Sequence, residues 1–428
     1  MANILPINGL RFSSEAGWDY SKIITPPYDV ITAERQEELY NKSPYNVIRL
    51  EYPKSLPGDN HQQNKYTRAA AVFKEWIEEK VLIKEKKPAI YLYEQHFSYD
   101  EKHFVRKSLF CGVGLSPFEE GIIVPHEETM SKPKADRLEL IRHCRTNFSP
   151  IFGLYKDRDN YVERYAEQQK INQDPIVNFV DEDGQKHVVW AITDEPFINT
   201  LKDFFKEKNI YIADGHHRYE TALEFYRENQ QKGNNPEGYS HTLMSLVNIY
   251  DEGLLAFPTH RLLNAGDMKS EELLQSLAQY FTIKEFPGPS ERRMLISLLD
   301  KFLKGADERE LKLGLYTPEK KIYILTIKKE LQNDQKLFPW LDTFILQELV
   351  LANIFRLENK ADLDFLRDEW ETKLRVDRGL ADFAFFVNRP AIETIIGLAK
   401  QGVRMPQKST YFFPKFVTGL VMLQLGTV

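Results

Sequence analysis

Two cysteines, Cys111 and Cys144, are all that the 428 residues contain. One possible pair is no disulfide framework, and two thiols cannot make an all-cysteine zinc site. A basic excess is missing too. Against 57 Lys and Arg stand 63 Asp and Glu, a formal net charge of −6. Such a chain has no strong sequence-independent grip on nucleic acid. No segment is apolar for long enough to span a bilayer. The start, MANILPINGLRF, lacks the basic region and apolar run of a secretory leader. There is no fixed-period repeat and no low-complexity tract. The expectation from these absences is a cytoplasmic protein without membrane or nucleic-acid partners.

What is present builds ordinary cores. Hydrophobic residues make up 42% of the chain, and the length suggests two or three domains. TAERQEELYNKSP reads as a short helix with Thr32 as N-cap. NVIRLEY reads as a strand, and KYTRAAAVFKEWIEEKVL as a helix with one buried stripe. AIYLYEQHFSY and FVRKSLFCGVGLSPF alternate like paired strands. A strand end, a loop, a helix around Ala135 to Arg145 and a strand through PIFGLY follow. An exposed helix is expected between Lys156 and Gln173. VNFVDEDGQKHVVWAIT reads as a hairpin, because Asp-Gly separates two apolar runs. INTLKDFFKEK is a helix, NIYIAD a strand, HHRYETALEFYREN a helix, and QKGNNPEGYS an exposed loop. HTLMSLVNIY and LLAFPTHRLL are strands. Beyond Asn264, helices in SEELLQSLAQYF and ERRMLISLLDKFL alternate with strand-like TIKEF and a hairpin in LKLGLYTPEKKIYILTIK. FPWLDTFILQELVLANIF is a long amphipathic helix and DFAFFVN a strand. RPAIETIIGLAKQG is a helix with proline near its start and glycine past its end. The class is α+β, in three regions: 1–118, 119–264 and 265–428.

Chemistry concentrates in YIADGHHRYETAL. An apolar strand ends at Asp214, Gly215 turns, and a helix begins near His216. The first amides of a helix have no internal partners, and the helix dipole adds partial positive charge there. Gly215 lacks the Cβ that would keep a phosphate away. Arg218 can fork onto phosphate oxygens, and His216 or His217 can donate a further bond. Asp214 would repel a phosphate unless it holds a metal ion or takes a proton, so it is a metal or acid–base candidate. The plain structural alternative is an N-cap aspartate followed by a solvated first turn.

A second cluster lies in PHEETMSKPKADR. It is no zincin motif, because Met130 stands where the second histidine would be. Adjacent His216 and His217 splay by roughly 100° around a helix, which makes a shared metal improbable. Glu127 can take a proton from a hydroxyl, as general-base catalysis requires. His126 is counted with it as catalytic, and Lys134 and Arg137 as weaker phosphate ligands. For Glu127 the alternative is a structural one, capping the helix near Ala135 or pairing with Arg137.

The order PHEE, helix, SPIFGLY, IADGHHRYETAL resembles a ParB/sulfiredoxin-like module, most closely the free serine kinases of that superfamily. The resemblance implies that Glu127 falls on a catalytic glutamate. It places Asp214, His216, His217 and Arg218 on a DGHHR turn that binds nucleotide phosphate. His216 stands where sulfiredoxin has its cysteine, so thiol redox chemistry is not implied. Across the whole chain, PPYDVI, NVIRLE, PHEETMSKPKADRLELI, ADGHHRYETAL, FPTHRLL and MPQKSTYFFPK resemble the bacterial family known as domain of unknown function 1015. The module is interrupted between Tyr155 and Asn209 by a longer insertion than the compact kinases carry. The fold implied is such a nucleotide-binding module with N-terminal additions and a separate C-terminal block.

Three activities fit. A small-molecule kinase would move phosphate from ATP or ADP to a hydroxyl, with free L-serine the leading acceptor. Mg²⁺ would bridge the phosphates, and Asp214 would help hold it. A phosphatase acting on phosphoserine or a similar ester would use the same groups with water. A nucleotide-binding regulator would use the cradle alone. Other stretches carry open alternatives. Asp29 in PPYDV either reaches a site or sits in a rigid turn. Thr259-His260-Arg261 binds an anion or lies at a solvated edge. Lys408 in MPQKST closes over phosphate or belongs to a polar loop. The run Tyr411-Phe412-Phe413 reads as core.

Overall fold

The computed structural model describes residues 1–128, 131–171, 173–233, 237–303, 310–331, 341–356, 363–389, 391–406 and 408–426. It divides into two compact units. The first comprises 1–125, 129–255 and 414–428, the second 126–128 and 256–413.

The first unit is built on a mixed sheet, nine-stranded among the described residues. Ile90–Tyr99 and Lys102–Gly114 form the expected antiparallel pair, with Tyr91 opposite Phe110. Val177–Val180 and Lys186–Ile192 form the expected hairpin, turned at Gly184 with φ +73°. On the other side of Lys102–Gly114 lie His241–Asn248, Ile151–Tyr155, Ile210–Asp214 and Ile123–Val124 in that order. Ile151–Tyr155 runs parallel to His241–Asn248 and antiparallel to Ile210–Asp214. One core joins Phe197, Leu201 and Phe205 of helix Glu195–Lys206 to Ile90, Val113, Ile151 and Met244 of the sheet. The helices expected from periodicity form at Ala33–Lys42, Lys65–Glu78, Ser131–Cys144, Tyr161–Lys170 and His216–Gln231. Thr32 caps the first of these by accepting the Arg35 N–H.

In this unit the strand expected at NVIRLEY fails to form; its core is the short helix Ile48–Glu51. Asn46 supplies the reason. Its Nδ2 donates to the carbonyls of Lys22 and Ile24, and its Oδ1 accepts the Ile48 N–H. A side chain that captures nearby backbone groups offers the chain an alternative to a ladder.

The second unit holds an antiparallel sheet, six-stranded among the described residues. Its order is Phe281–Pro287, Lys321–Ile327, Lys312–Thr317, Phe383–Phe386, His260–Leu263, Leu363–Leu366. Helix Arg292–Leu303 packs Leu295, Leu299 and Leu303 against Tyr316, Ile324 and Phe386. The expected long helix over 338–355 is different in kind. It is α-helical only at Asp342–Ile345 and π-helical at Leu346–Ala352. The wider turn brings Leu346, Leu349, Val350 and Leu351 into the core. Residues 338–340, Thr129, Met130, Asn172, the loop tip 234–236, Pro390 and Gln407 lie outside the described residues. Among the described residues no helix is long and apolar enough to cross a membrane.

Asp342 gives this unit a pH dependence. Burial raises its carboxyl to about 6, against the N–H groups of Asn388 and Thr343 and the Arg261 charge, which oppose the rise. A raised folded value means that its contribution to stability is full below the unfolded value of 3.8 and is lost as pH rises through about 6. The loss should be on the order of 1–3 kcal/mol. Melting temperatures for wild type and Asp342→Asn between pH 4 and 7.5 check this. The wild type should lose more than the variant across that range, and parallel curves would refute the assignment.

Candidate active site

Strand Ile210–Asp214 is fixed by pairing of Tyr211 with Leu154 and Ile212 with Gly153, followed by an irregularity that sets Asp214 opposite Phe152. Gly215 then adopts φ +92°, and helix His216–Gln231 starts with no side chain capping it. Gly215 is a conformational requirement, since L residues rarely adopt this backbone. A Cβ there would also lie 2.9 Å from Arg218 Nη2. The helix is anchored by buried Tyr219, whose hydroxyl donates to the Ser116 carbonyl and accepts its N–H. His216 is buried and His217 half-buried. Desolvation lowers the His217 imidazolium pKa, although Glu220 and Asp29 act the other way. At neutral pH that ring is therefore mainly neutral.

Asp214 is held between two cations. Its Oδ2 accepts from Arg218 Nη2 at 2.8 Å, and its Oδ1 from Lys415 Nζ. Its side chain is 15% exposed. Burial alone would raise this carboxyl, but the Lys415 ammonium and the Arg218 guanidinium hold it well below the usual carboxylate range. Arg218 is braced further, with Nη1 donating to Ser149 Oγ at 3.0 Å and to the Pro150 carbonyl at 2.6 Å. Its Nε is buried without an acceptor among the described residues.

Asp29, from the turn Tyr28–Val30, belongs to the same electrostatic group. Its carboxyl is raised by desolvation first and by the Asp214 carboxylate next, with Lys415 and Arg218 opposing. The Asp29 side chain is nonetheless exposed.

Behind Arg218 lies a second polar layer. Glu51 is buried, and its Oε1 accepts from Ser149 Oγ at 2.8 Å. Arg137 Nη1 donates to the Glu51 carbonyl at 2.6 Å. Its Nη2 donates to Asp136 at 2.5 Å, and its guanidinium lies 4.2 Å from the Tyr28 ring. Burial tends to raise Asp136, but Arg137 and Lys65 bring it down to about 2. Lys134 pairs with Glu220 at 2.8 Å. Of the two weaker phosphate ligands, Arg137 is thus internal and committed to protein acceptors, while Lys134 is half-buried in its pair with Glu220.

His126, Glu127 and Glu128 belong to the second unit. Glu127 pairs with Met405 in a parallel bridge. Its Oε1 accepts from the Thr410 N–H and Oγ1, both at 3.3 Å, and its Oε2 from the Lys408 N–H at 3.2 Å. His126 Nε2 and Thr410 Oγ1 are 3.0 Å apart, and the Met405 N–H donates to the His126 carbonyl at 2.7 Å. The PHEE and MPQKST segments therefore meet. Lys408 contributes its backbone here. His260 and Arg261 are buried, with the Arg261 guanidinium 4.8 Å from the Phe365 ring. They are no solvated edge. Of the run read as core, Phe412 is buried, while Tyr411 and Phe413 are half-buried.

Sequence reasoning gave no role to Lys415, Glu51, Ser149 or Thr410. Lys415 and Thr410 do fall within the quoted stretch MPQKSTYFFPK, and Glu51 within NVIRLE. Both cysteines are buried, and desolvation pushes the Cys144 thiol up to about 12 and raises Cys111 further. Neither is poised as a nucleophile. Among the described residues no group of three or more His, Cys, Asp or Glu could hold a metal ion.

Chemically, the Asp214 junction offers the first amides of a helix, two mostly buried cations and one ionised carboxylate at a glycine turn. That set suits an anion at the turn, and the unsatisfied Arg218 Nε and uncapped helix fit a phosphate group there. No curated protein matches the chain. Among solved structures, a free serine kinase in complex with AMP is 14% identical, covering 74% of this chain and 91% of that one, with a TM-score of 0.37. A conserved hypothetical protein from Pyrococcus furiosus is 14% identical, covering 73% and 95%, with a TM-score of 0.35. SbnI from Staphylococcus aureus is 10% identical, covering 71% and 84%, with a TM-score of 0.35. Likeness at this level says nothing of what this chain binds. The family model described as "Protein of unknown function (DUF1015)" matches residues 4–346, most of the chain, which therefore belongs to that family.

Proposed function

We propose that the protein is a small-molecule kinase, moving phosphate from ATP or ADP to a hydroxyl, with free L-serine as acceptor. The observation that carries the reading is the Asp214–Gly215–helix junction, where an ionised carboxylate is neutralised by Lys415 and Arg218. The nucleotide phosphates sit at the start of helix His216–Gln231, where its first amides point along the axis. Gly215 allows their close approach. His217, mainly neutral, donates one further bond. Lys415 and Arg218 offset the Asp214 charge, so the carboxylate no longer repels the phosphate. Phosphoryl transfer asks the protein mainly for positioning and charge neutralisation, and these residues supply both.

Glu127 is the general base in this reading. Its bonds from Thr410 and Lys408 fix the carboxylate's direction. His126, also within reach of Thr410, steadies the same loop. A magnesium ion arriving with the nucleotide would neutralise phosphate charge as transfer proceeds. Asp214 is the residue that would hold it. Both its oxygens already accept from cations, so ligation requires Lys415 or Arg218 to share an oxygen.

The test is nucleotide binding. Arg218→Ala removes charge-assisted bonds worth about 1.5–3 kcal/mol each. ATP and ADP affinity should fall by at least tenfold in a variant shown to be folded by circular dichroism. Unchanged affinity would remove the phosphate site from this turn.

A further inference from the structure

A second concave surface lies at the other end of strand Ile151–Tyr155. Asp214 sits opposite Phe152, near the start of that strand. The chain leaves its far end into Lys156–Asp159. Strand His241–Asn248 runs parallel beside it, with Asn248 opposite Tyr155, and leaves the same edge into Tyr250. In open sheets, ligand crevices form outside the carboxyl ends of such strands. Here the crevice is an open cleft of about 850 Å³, within the range of small-molecule sites.

Its wall is cationic. Lys156, Arg158, Arg164 and Lys208 line it. None of the four takes part in an ion pair among the described residues. The nearby acids are committed elsewhere. Glu163 and Glu167, on the same helix as Arg164, pair with Lys107, and Glu167 also pairs with Lys170. Asp157 lines the cleft but is buried, and its Oδ2 accepts the Val162 N–H at 2.8 Å. Among the residues that line the cleft, Asp159 is then the one exposed carboxylate against four cations. Unpaired like charges held together cost energy unless an anion joins them.

Its floor is aromatic. Tyr161 and Phe204 stack with ring centroids 5.9 Å apart and planes 20° from parallel. Tyr250 completes the lining. Lys208 lies 4.5 Å over the Phe204 ring, and the Arg158 guanidinium 5.9 Å over Tyr250. Ring faces beside guanidinium groups are what a planar base with a phosphate chain requires.

We propose that this cleft binds a nucleoside polyphosphate, with the phosphates on Arg158, Arg164, Lys156 and Lys208 and the base against the ring faces. It is a site separate from the Asp214 junction and stands without the kinase reading. Calorimetric titration of the full chain with ATP, tripolyphosphate and adenosine tests it, for wild type, Arg158→Ala/Arg164→Ala and Arg218→Ala. Arg158 and Arg164 are exposed, so the double variant should keep its melting temperature. Wild type should show an ATP-binding event that the double variant weakens by about tenfold or more per arginine and that Arg218→Ala leaves intact. Tripolyphosphate should bind the same site more weakly than ATP, and adenosine more weakly still. Wild-type ATP stoichiometry and affinity in the double variant would overturn the proposal, as would no ATP binding by wild type at millimolar concentration. Tripolyphosphate binding as tightly as ATP would overturn the place given to the base. If Arg218→Ala alone loses ATP, this cleft falls and the kinase site stands. If the double variant alone loses it, the outcome is reversed.

Discussion

Asp214→Ala should destabilise the first unit by about 3–5 kcal/mol, because removing one partner of a buried charge group leaves the others uncompensated. The stranded groups are Lys415, with 12% of its side chain exposed, and Arg218, with 11%. The sign of the pH dependence follows from the carboxyl's depressed value. Its contribution is present above the unfolded value of 3.8 and disappears as pH falls through the lower folded one. The variant should therefore lose most at neutral pH and least in strong acid. Adding Lys415→Met to Asp214→Ala should restore part of the loss, since it removes one of the two cations that faced the carboxylate. Urea unfolding of the two single variants and the double variant measures the coupling. A loss below about 1 kcal/mol for Asp214→Ala would mean that water screens the pair and that the junction is no buried charge site.

Glu127→Gln should lower phosphate transfer by about 10²–10⁴-fold, the usual contribution of a general base. Nucleotide affinity should stay within about twofold, because the proposed phosphate cradle is at Gly215. Glutamine keeps one carbonyl oxygen for Thr410 but presents an N–H₂ where the Lys408 N–H now donates. A modest stability loss is expected on that account. Thr410→Val separates the two contributions. It removes the hydroxyl that reaches Glu127 but keeps the carboxylate and the backbone donors. If Glu127 is the base, Thr410→Val should retain far more turnover than Glu127→Gln. Equal and small losses in both would reduce Glu127 to a brace for the 405–410 segment.

Local pattern carries much of this site. The strand, glycine turn and helix of IADGHHRYETAL follow from apolar periodicity and one Asp-Gly pair, and they form where expected. Hairpins are equally legible, since their partners adjoin in sequence. The crossovers are not. Placing Ile151–Tyr155 between Ile210–Asp214 and His241–Asn248 depends on pairings some 60 to 100 residues apart, as the registers of Leu154 with Tyr211 and Val247 show. The same distance hides the charge partners. Lys415 reaches Asp214 across 201 positions, and Thr410 reaches Glu127 across 283. No short-range rule connects them. Glu51 is hidden for another reason. NVIRLEY has the apolar content of a strand, but Asn46 folds it into a helix and turns Glu51 inward to Ser149.

The most direct test of the central claim is phosphate transfer itself. Purified wild type would be incubated with Mg²⁺ and either ATP or ADP, with L-serine and a panel of other hydroxylated amino acids. Phosphoamino acid and spent nucleotide would be quantified together, and phosphoserine with nucleotide diphosphate or monophosphate would be supplied for the reverse direction. The expected result is phosphoserine formed in equal amount to the nucleotide consumed, reversible when products are supplied and lost in Glu127→Gln. Phosphate release from phosphoserine without any nucleotide, or no transfer to any hydroxylated amino acid from either nucleotide, would contradict it.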